Sequence, residues 1–374
     1  MLLIIVGAGA TYDSDWRRRV ERLYSKATGD WQQLGIEWRP PLAKDLFDED
    51  RFGGYVARYP PSQGLMDQLR KAAPAVEQEL EKIRDLSRDQ EHLPRQLLAV
   101  RYYLRDLIEE TVRRWNEAKP DKMTNFTRLL TGLEPWRQQR SRDLSHYERV
   151  AIVTFNYDTL LDDALTNLLP SFRLRSIDDY ISDVRYELFK LHGSVNWWRE
   201  ARGEIIANRE WTANQGSASP PTTWAPTMFD PPGRYTETGN FFMSGGGMCL
   251  PCVPCLALPI ATKGVADFAC PETHLSELTL LLPQVTDVLI IGWRGIEDHF
   301  LEQWRLTQAL KPDPKIHSVT VVDATHEDAA QNAHRIVYKV GLTPETTPTF
   351  ETFSSFVNDK LEGYLRDTLG TPAA

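Results

Sequence analysis

The sequence predicts an α/β fold: a Rossmann-like open parallel sheet with helices on both faces, a helical insertion after the first strand, and a loop-rich small subdomain. Three observations carry that reading. Short continuous apolar runs, the mark of strands buried on both faces, recur along the chain and end in glycine or polar residues. Helix-compatible stretches follow them. The 374 residues are 41% hydrophobic and 25% charged, the composition of an ordinary globular protein, which excludes disordered, collagen-like and coiled-coil chains.

The first apolar run, Leu2–Val6, stops at Gly7-Ala8-Gly9-Ala10. A charged stretch rich in helix formers then occupies residues 60–148. Within it Leu97, Leu104, Ile108, Thr111 and Trp115 recur at helical spacing, and the charges of 77–88 read as a solvated helix face. A second run, 150–153, ends at Thr154-Phe155-Asn156-Tyr157-Asp158 and precedes a helical stretch at 159–168. A shorter piece, 187–191, leads into His192-Gly193-Ser194. Residues 197–255 hold Trp197, Trp198, Trp211, Trp224, two proline pairs and a triple glycine among few apolar runs, as a loop-rich subdomain or lid would. The run 288–291 ends at Gly292-Trp293-Arg294 and 319–322 ends at Asp323, followed by helical stretches at 296–310 and 326–334. A closing helix is expected over 350–369. The division is therefore a core of 1–59, 149–196 and 256–345, the insertion 60–148, the lid 197–255, and a C-terminal helix and tail 346–374.

Charge and segment patterns exclude several functions. Lys and Arg total 43 against 52 Asp and Glu, a formal charge of -9, so no basic excess exists to neutralise a nucleic-acid backbone. The apolar start lacks a basic flank and runs directly into Gly7, Asp13 and Asp15, so it reads as a buried strand rather than a signal peptide. No run reaches the roughly 18 to 20 apolar residues that span a bilayer. The expected location is the cytoplasm.

In open parallel sheets ligands bind beyond the carboxyl ends of the strands, and the chemically useful residues of this sequence gather there. Small residues at Gly7 to Ala10 allow backbone N–H groups to approach a pyrophosphate, although the same turn also serves a tight strand-to-helix connection without ligand. Tyr12 stands where the third glycine of G-x-G-x-x-G belongs, which disfavours a hydride-transfer dehydrogenase. Asn156 could cap a turn, and His192 could be a satisfied core histidine. Placed together at strand ends beside a nucleotide turn, they become candidates for catalysis, with His192 as general base.

These residues resemble the sirtuin superfamily, in particular the sirtuin-like domains of bacterial antiphage defence. Gly7-Ala8-Gly9-Ala10 is similar to the family's opening Gly-Ala-Gly turn, Thr154-Phe155-Asn156-Tyr157-Asp158 to its Thr-Gln-Asn-x-Asp strand end, and Leu191-His192-Gly193-Ser194 to its His-Gly motif. Gly292-Trp293 resembles the later glycine turn near the adenosine, and Asp323 falls at the strand end that meets its ribose. The resemblance spans about residues 1–340. Phe155 departs from the glutamine of deacetylating members, and no zinc ribbon with paired C-x-x-C motifs is evident. The Phe-Asn-Tyr-Asp and Lys-Leu-His-Gly-Ser strings instead resemble the defence branch, whose members hydrolyse NAD.

The resemblance implies an NAD+ glycohydrolase that releases nicotinamide and ADP-ribose as an abortive-infection effector, without a metal in the chemistry. It implies Asn156 and His192 as catalytic residues. The implied NAD contacts are Gly7, Ala8, Gly9, Ala10, Asp13, Phe155, Tyr157, Asp158, Gly193, Ser194, Gly292, Trp293 and Asp323. The implied partners are further copies of the chain and a HerA-type hexameric ATPase or a short prokaryotic Argonaute. An NAD-dependent protein deacylase and a non-catalytic NAD- or ADP-ribose-binding scaffold are the alternatives. The chain's four cysteines, Cys249, Cys252, Cys255 and Cys270, crowd into one window, unlike a disulfide-stapled fold. They could hold zinc or an iron–sulfur cluster, or pack as reduced small hydrophobes.

Overall fold

The computed structural model describes residues 1–15, 38–59, 62–87, 90, 92–117, 123–141, 148–169, 172–174, 176–200, 227–228, 242–245, 248–260, 268–309 and 316–370. Its centre is a six-stranded, all-parallel sheet built from β1 (Leu2–Val6), β2 (Val150–Thr154), β3 (Tyr186–Lys190), β8 (Asp287–Ile291), β9 (Ser318–Asp323) and β10 (Thr349–Glu351). Across the sheet the order is β3-β2-β1-β8-β9-β10. Counted along the chain, that is the 3-2-1-4-5-6 order of the doubly wound dinucleotide fold. Every residue of β1, β2, β3 and β8 is buried. Because neighbouring side chains in a strand point to opposite faces, both faces of the sheet are covered.

The apolar runs at 2–6, 150–153, 187–191, 288–291 and 319–322 all lie in or across the ends of these strands. The expected helices after them are present as α7 (Leu160–Leu168), α9 (Asp298–Gln308) and α10 (His326–Val340). Thr325 caps α10, accepting a bond from the Asp328 amide, and Gly341 ends it in the left-handed conformation. The expectation of a helix over 350–369 needs correction at its start. Thr349–Glu351 is the sixth strand, and helical backbone begins at Phe353 and continues through a π turn, Phe356–Lys360, to Leu361–Asp367.

Between β1 and β2 stand α1 (Ala8–Tyr12) and the inserted helices α2 (Glu49–Val56), α3 (Gln63–Lys71), α4 (Val76–Leu86), α5 (His92–Glu117) and α6 (Asn125–Arg140). The amphipathic stretch 96–115 lies inside α5, with Leu104, Leu107 and Trp115 buried. Asp48 caps α2 by accepting from the Asp50 and Arg51 amides, so this helix begins at Glu49.

The tryptophan- and proline-rich stretch expected as loops contains a four-stranded antiparallel sheet in the order β5-β4-β7-β6. Its strands are β4 (Gly193–Glu200), β5 (Thr227–Met228), β6 (Phe242–Gly245) and β7 (Met248–Leu256). Trp211, Trp224, both proline pairs and most of the triple glycine lie outside the described residues. Helix α5 reaches this sheet: the Arg105 guanidinium donates to the Val195 carbonyl at 3.2 Å and lies 5.0 Å from the Trp198 ring centre. The helix α8 (Glu272–Leu281) returns the chain to β8. Among the described residues no helix is long and apolar enough to cross a membrane.

Candidate active site

The strand order reverses between β1 and β8, and the backbones leaving those two strands almost touch. A Cβ on Gly7 would fall 2.4 Å from the Gly292 carbonyl oxygen, and one on Gly292 would fall 2.2 Å from the Ala10 nitrogen. Gly292 also has a φ of +60°, where side chains are strained. The Gly9 amide donates to the Gly292 carbonyl at 3.1 Å, joining the two turns. Glycine is therefore required here by packing, and the close turns open on one side to a cavity of about 630 Å³. That volume lies within the ~300–1,000 Å³ of small-molecule and cofactor pockets.

Asn156 leaves β2 and faces the first turn. Its Nδ2 donates to the Gly7 carbonyl at 2.9 Å and to Thr11 Oγ1 at 2.8 Å. A carbonyl oxygen can only accept, so the amide nitrogen must point at Gly7 and both of its protons are committed. Thr11 in turn donates to Asp158 Oδ2 at 2.8 Å, and Asp158 Oδ1 accepts from the Leu160 amide at 3.0 Å at the start of α7. The chain of donors runs one way, from Asn156 through Thr11 to Asp158, and leaves the Asn156 Oδ1 as an acceptor. Burial pushes the Asp158 carboxyl up from the usual carboxylate range, while Lys190 and the two donors pull it back.

His192 follows β3 and is 2% exposed. Its Nδ1 lies 3.2 Å from the Phe155 carbonyl oxygen. That oxygen carries no proton, so a bond there places the proton on Nδ1 and leaves the lone pair on Nε2. The ring also packs against Phe155 at 5.0 Å between centres, and Phe155 stacks on Trp293 at 5.1 Å with 12° between planes. Phe155 thus serves as the spacer between the histidine and the β8 turn. Tyr157 sits 6.2 Å from His192, its hydroxyl held protonated by burial.

Gly7, Ala8, Gly9, Ala10, Asp13, Phe155, Asn156, Tyr157, Asp158, His192, Gly292, Trp293 and Asp323 all line the cavity. Two expected contacts do not line it. Gly193, at φ +78°, turns its α-carbon against the Cys255 carbonyl, and Ser194 is fully buried with its hydroxyl 3.3 Å from the Tyr157 carbonyl. Both shape the β3–β4 turn. Asp13 reaches the cavity wall, but its carboxylate accepts the Ser354 amide at 3.0 Å and the Ser354 hydroxyl at 2.8 Å. Asp323 accepts from the Ala324 amide and from Asn332 Nδ2.

Other lining residues lay outside the sequence expectations. Among them are the segment Pro40 to Lys44, Glu77 of α4, Arg294 and the Thr352-Phe353 pair. Arg294 pairs with Glu77 at 3.3 Å, so the α4 face expected to be merely solvated meets the β8 turn. Thr352 carries a φ of +49°, unusual for a β-branched residue, and is held by the hydrogen bond its N–H donates to the Asp323 carbonyl at 2.6 Å. No sequence pattern marks this residue in advance.

Cys255 and Cys270 are buried, and Cys255 Sγ donates to the Ala269 carbonyl at 3.0 Å. Cys249 and Cys252 lie on β7, with their side chains outside the described residues. Among the described residues no group of three or more metal-ligating side chains converges.

No family model matches the chain, and no curated protein matches it. Solved structures do. The chain is similar to a Sir2 homologue in complex with NAD, at 11% identity over 99% of this chain and 90% of that one, with a TM-score of 0.39. It is also similar to a Sir2-homologue mutant in complex with 2′-O-acetyl-ADP-ribose, at 11% identity over 100% and 94% of the two chains, with a TM-score of 0.37. Superpositions this loose do not transfer residues from one site to another.

Proposed function

We propose that the protein is an NAD+ glycohydrolase, releasing nicotinamide and ADP-ribose. The observation that carries this reading is the pairing, on one cavity wall, of an Asn156 amide held with its oxygen as acceptor and a His192 ring whose Nε2 retains its lone pair. The glycine contact between the β1 and β8 turns supplies the close backbone approach that a pyrophosphate needs. Asp323 at the end of β9 offers carboxylate oxygens to a ribose.

In the reaction the bond between C1′ of the ribose and the nicotinamide nitrogen breaks, and its electron pair neutralises the pyridinium. Positive charge develops on the ribose, where oxygen acceptors stabilise it. Asn156 Oδ1 accepts a hydrogen bond from the attacking water. The water oxygen bonds to C1′, and its proton passes to His192 Nε2. The motif strings around Asn156 and His192 further support a role as an antiphage effector, gated by self-association or by a HerA-type hexameric ATPase.

The test is nicotinamide and ADP-ribose production from NAD+, with and without an acetyl-lysine peptide. We expect turnover that needs only water, reduced about 10²- to 10⁴-fold in Asn156→Ala and His192→Ala. Turnover that requires the peptide would make the protein a deacylase. NAD binding without turnover, alone and with the ATPase, would make it a scaffold.

A further inference from the structure

Lys190 is a charged residue in a strand whose every residue is buried, and its side chain is fully buried. Its Nζ donates to the Asp158 carbonyl oxygen at 2.6 Å and to Asp162 Oδ2 at 2.8 Å. The other Asp162 oxygen accepts from the Tyr180 hydroxyl at 2.5 Å, and that hydroxyl lies 3.3 Å from Asn196 Nδ2. A buried ammonium is costly unless paired and hydrogen-bonded, and replacing a buried pair by uncharged groups is often neutral for stability. Stability alone therefore does not explain why a cation stands here.

Its position does. Lys190 lies beneath the turn that carries Phe155, Asn156, Tyr157 and Asp158, and it binds that turn through the backbone of Asp158. We propose that Lys190, held by Asp162 and Tyr180, is a positioning residue of the active site: by binding the Asp158 carbonyl it fixes the Asp158 carboxyl where Thr11 donates to it and presents its lone pair to Asn156, which sets the Asn156 oxygen toward the substrate. The groups that face Asp158 are Thr11 from α1, the Leu160 amide and Asp162 from α7, and Lys190 from β3. Of these, Lys190 supplies the charge that favours the carboxylate and Asp162 the one that opposes it. A protonated Asp158 would accept less strongly from Thr11, the threonine proton could turn elsewhere, and the asparagine amide would lose the bond that fixes its orientation. The inference rests on the hydrolase reading for its kinetic consequence, while its electrostatic part stands without it.

The experiment compares the single variant Lys190→Met, which leaves Asp162 unpaired, with the double variant Lys190→Met/Asp162→Asn, which removes both charges of the pair. Thermal unfolding should show a large loss in the single variant and recovery of most of it in the double. In the recovered double variant we expect kcat for NAD+ at least tenfold down, KM changed less than about twofold, and the acid limb of the kcat profile moved up, because the lost Lys190 charge acts on Asp158 more strongly than the lost Asp162 charge. The Asp158 carboxyl ¹³C shift, followed by NMR across the same pH range, should titrate higher by the same amount. A stable double variant with wild-type kcat, acid limb and Asp158 titration would overturn the inference and leave the pair a packing element. Should wild-type protein turn over no NAD+ at all, the hydrolase reading fails, and the Asp158 titration by itself then supports or overturns the role of Lys190.

Discussion

A methyl group on Gly292 would meet the Ala10 nitrogen at 2.2 Å and the Gly9 carbonyl carbon at 2.6 Å, both backbone atoms that cannot swing aside. Gly292→Ala is accordingly expected to destabilise the fold by at least ~2 kcal/mol, combining left-handed strain with overpacking. Urea unfolding measures this, and a loss below ~0.5 kcal/mol would mean that the two turns are not in contact. His274 offers a pH test. It is fully buried against Phe189 and Trp197, and burial pushes its pKa down from 6.5 to about 4. Between those values the unfolded chain binds a proton that the folded chain does not. Its contribution is present above pH 6.5 and is lost as pH falls through about 4, to a total of at most ~3 kcal/mol. His274→Gln should therefore narrow the difference in unfolding free energy between pH 7 and pH 4. An unchanged difference would place the acid sensitivity elsewhere.

At the level of elements, strands that are buried on both faces were legible because a short, continuous apolar run closed by turn residues is stable in water only when neighbouring strands and helices cover it on both sides. The small sheet was not. Its strands carry Trp197, Trp198, Pro251 and Pro254, residues that spell neither an apolar run nor a clean alternation. Strand β10 was hidden for another reason, since Thr349–Glu351 is too short to show any period and only its pairing with β9 defines it. The site followed the same rule. Asn156, His192 and Gly292 stand at strand ends, where position alone suggests chemistry, whereas Thr11 and Lys190 act through partners distant in sequence. One signal was available: a lysine within the otherwise apolar 188–191 run demands a buried partner. Asp13 shows the converse. The resemblance implies an NAD contact for it, and it lines the cavity, but no pattern in the sequence shows that its carboxylate also joins α1 to Ser354 at the head of the C-terminal helix. A double-mutant cycle with Asp13→Asn and Ser354→Ala should give a coupling of about 1–2 kcal/mol by urea unfolding. Additive losses would show that the two elements do not brace one another.

Over the whole molecule, the cavity draws its wall from separate bodies of chain: the sheet turns at 7–13, 155–158 and 292–297, the Asp323 strand end, the inserted segment 40–46 and Glu77, and the Thr352-Phe353 pair. Closing such a wall around a dinucleotide engages every one of these segments. Hydrogen exchange with saturating NAD+ should slow at the β1, β2 and β8 turns and also at 40–46, with the outer face of α10 unchanged. Protection limited to one segment would point to a smaller ligand.

The most direct test of the account is NAD+ turnover by purified protein, alone and with a HerA-type ATPase, with nicotinamide and ADP-ribose both quantified for wild type, Asn156→Ala and His192→Ala. The account predicts equal amounts of the two products from wild type without any acylated peptide, and loss of both in each variant. Equal turnover in wild type and both variants would contradict it, because the reaction would then not depend on the acceptor oxygen and the base that the β2 and β3 strand ends hold in the cavity.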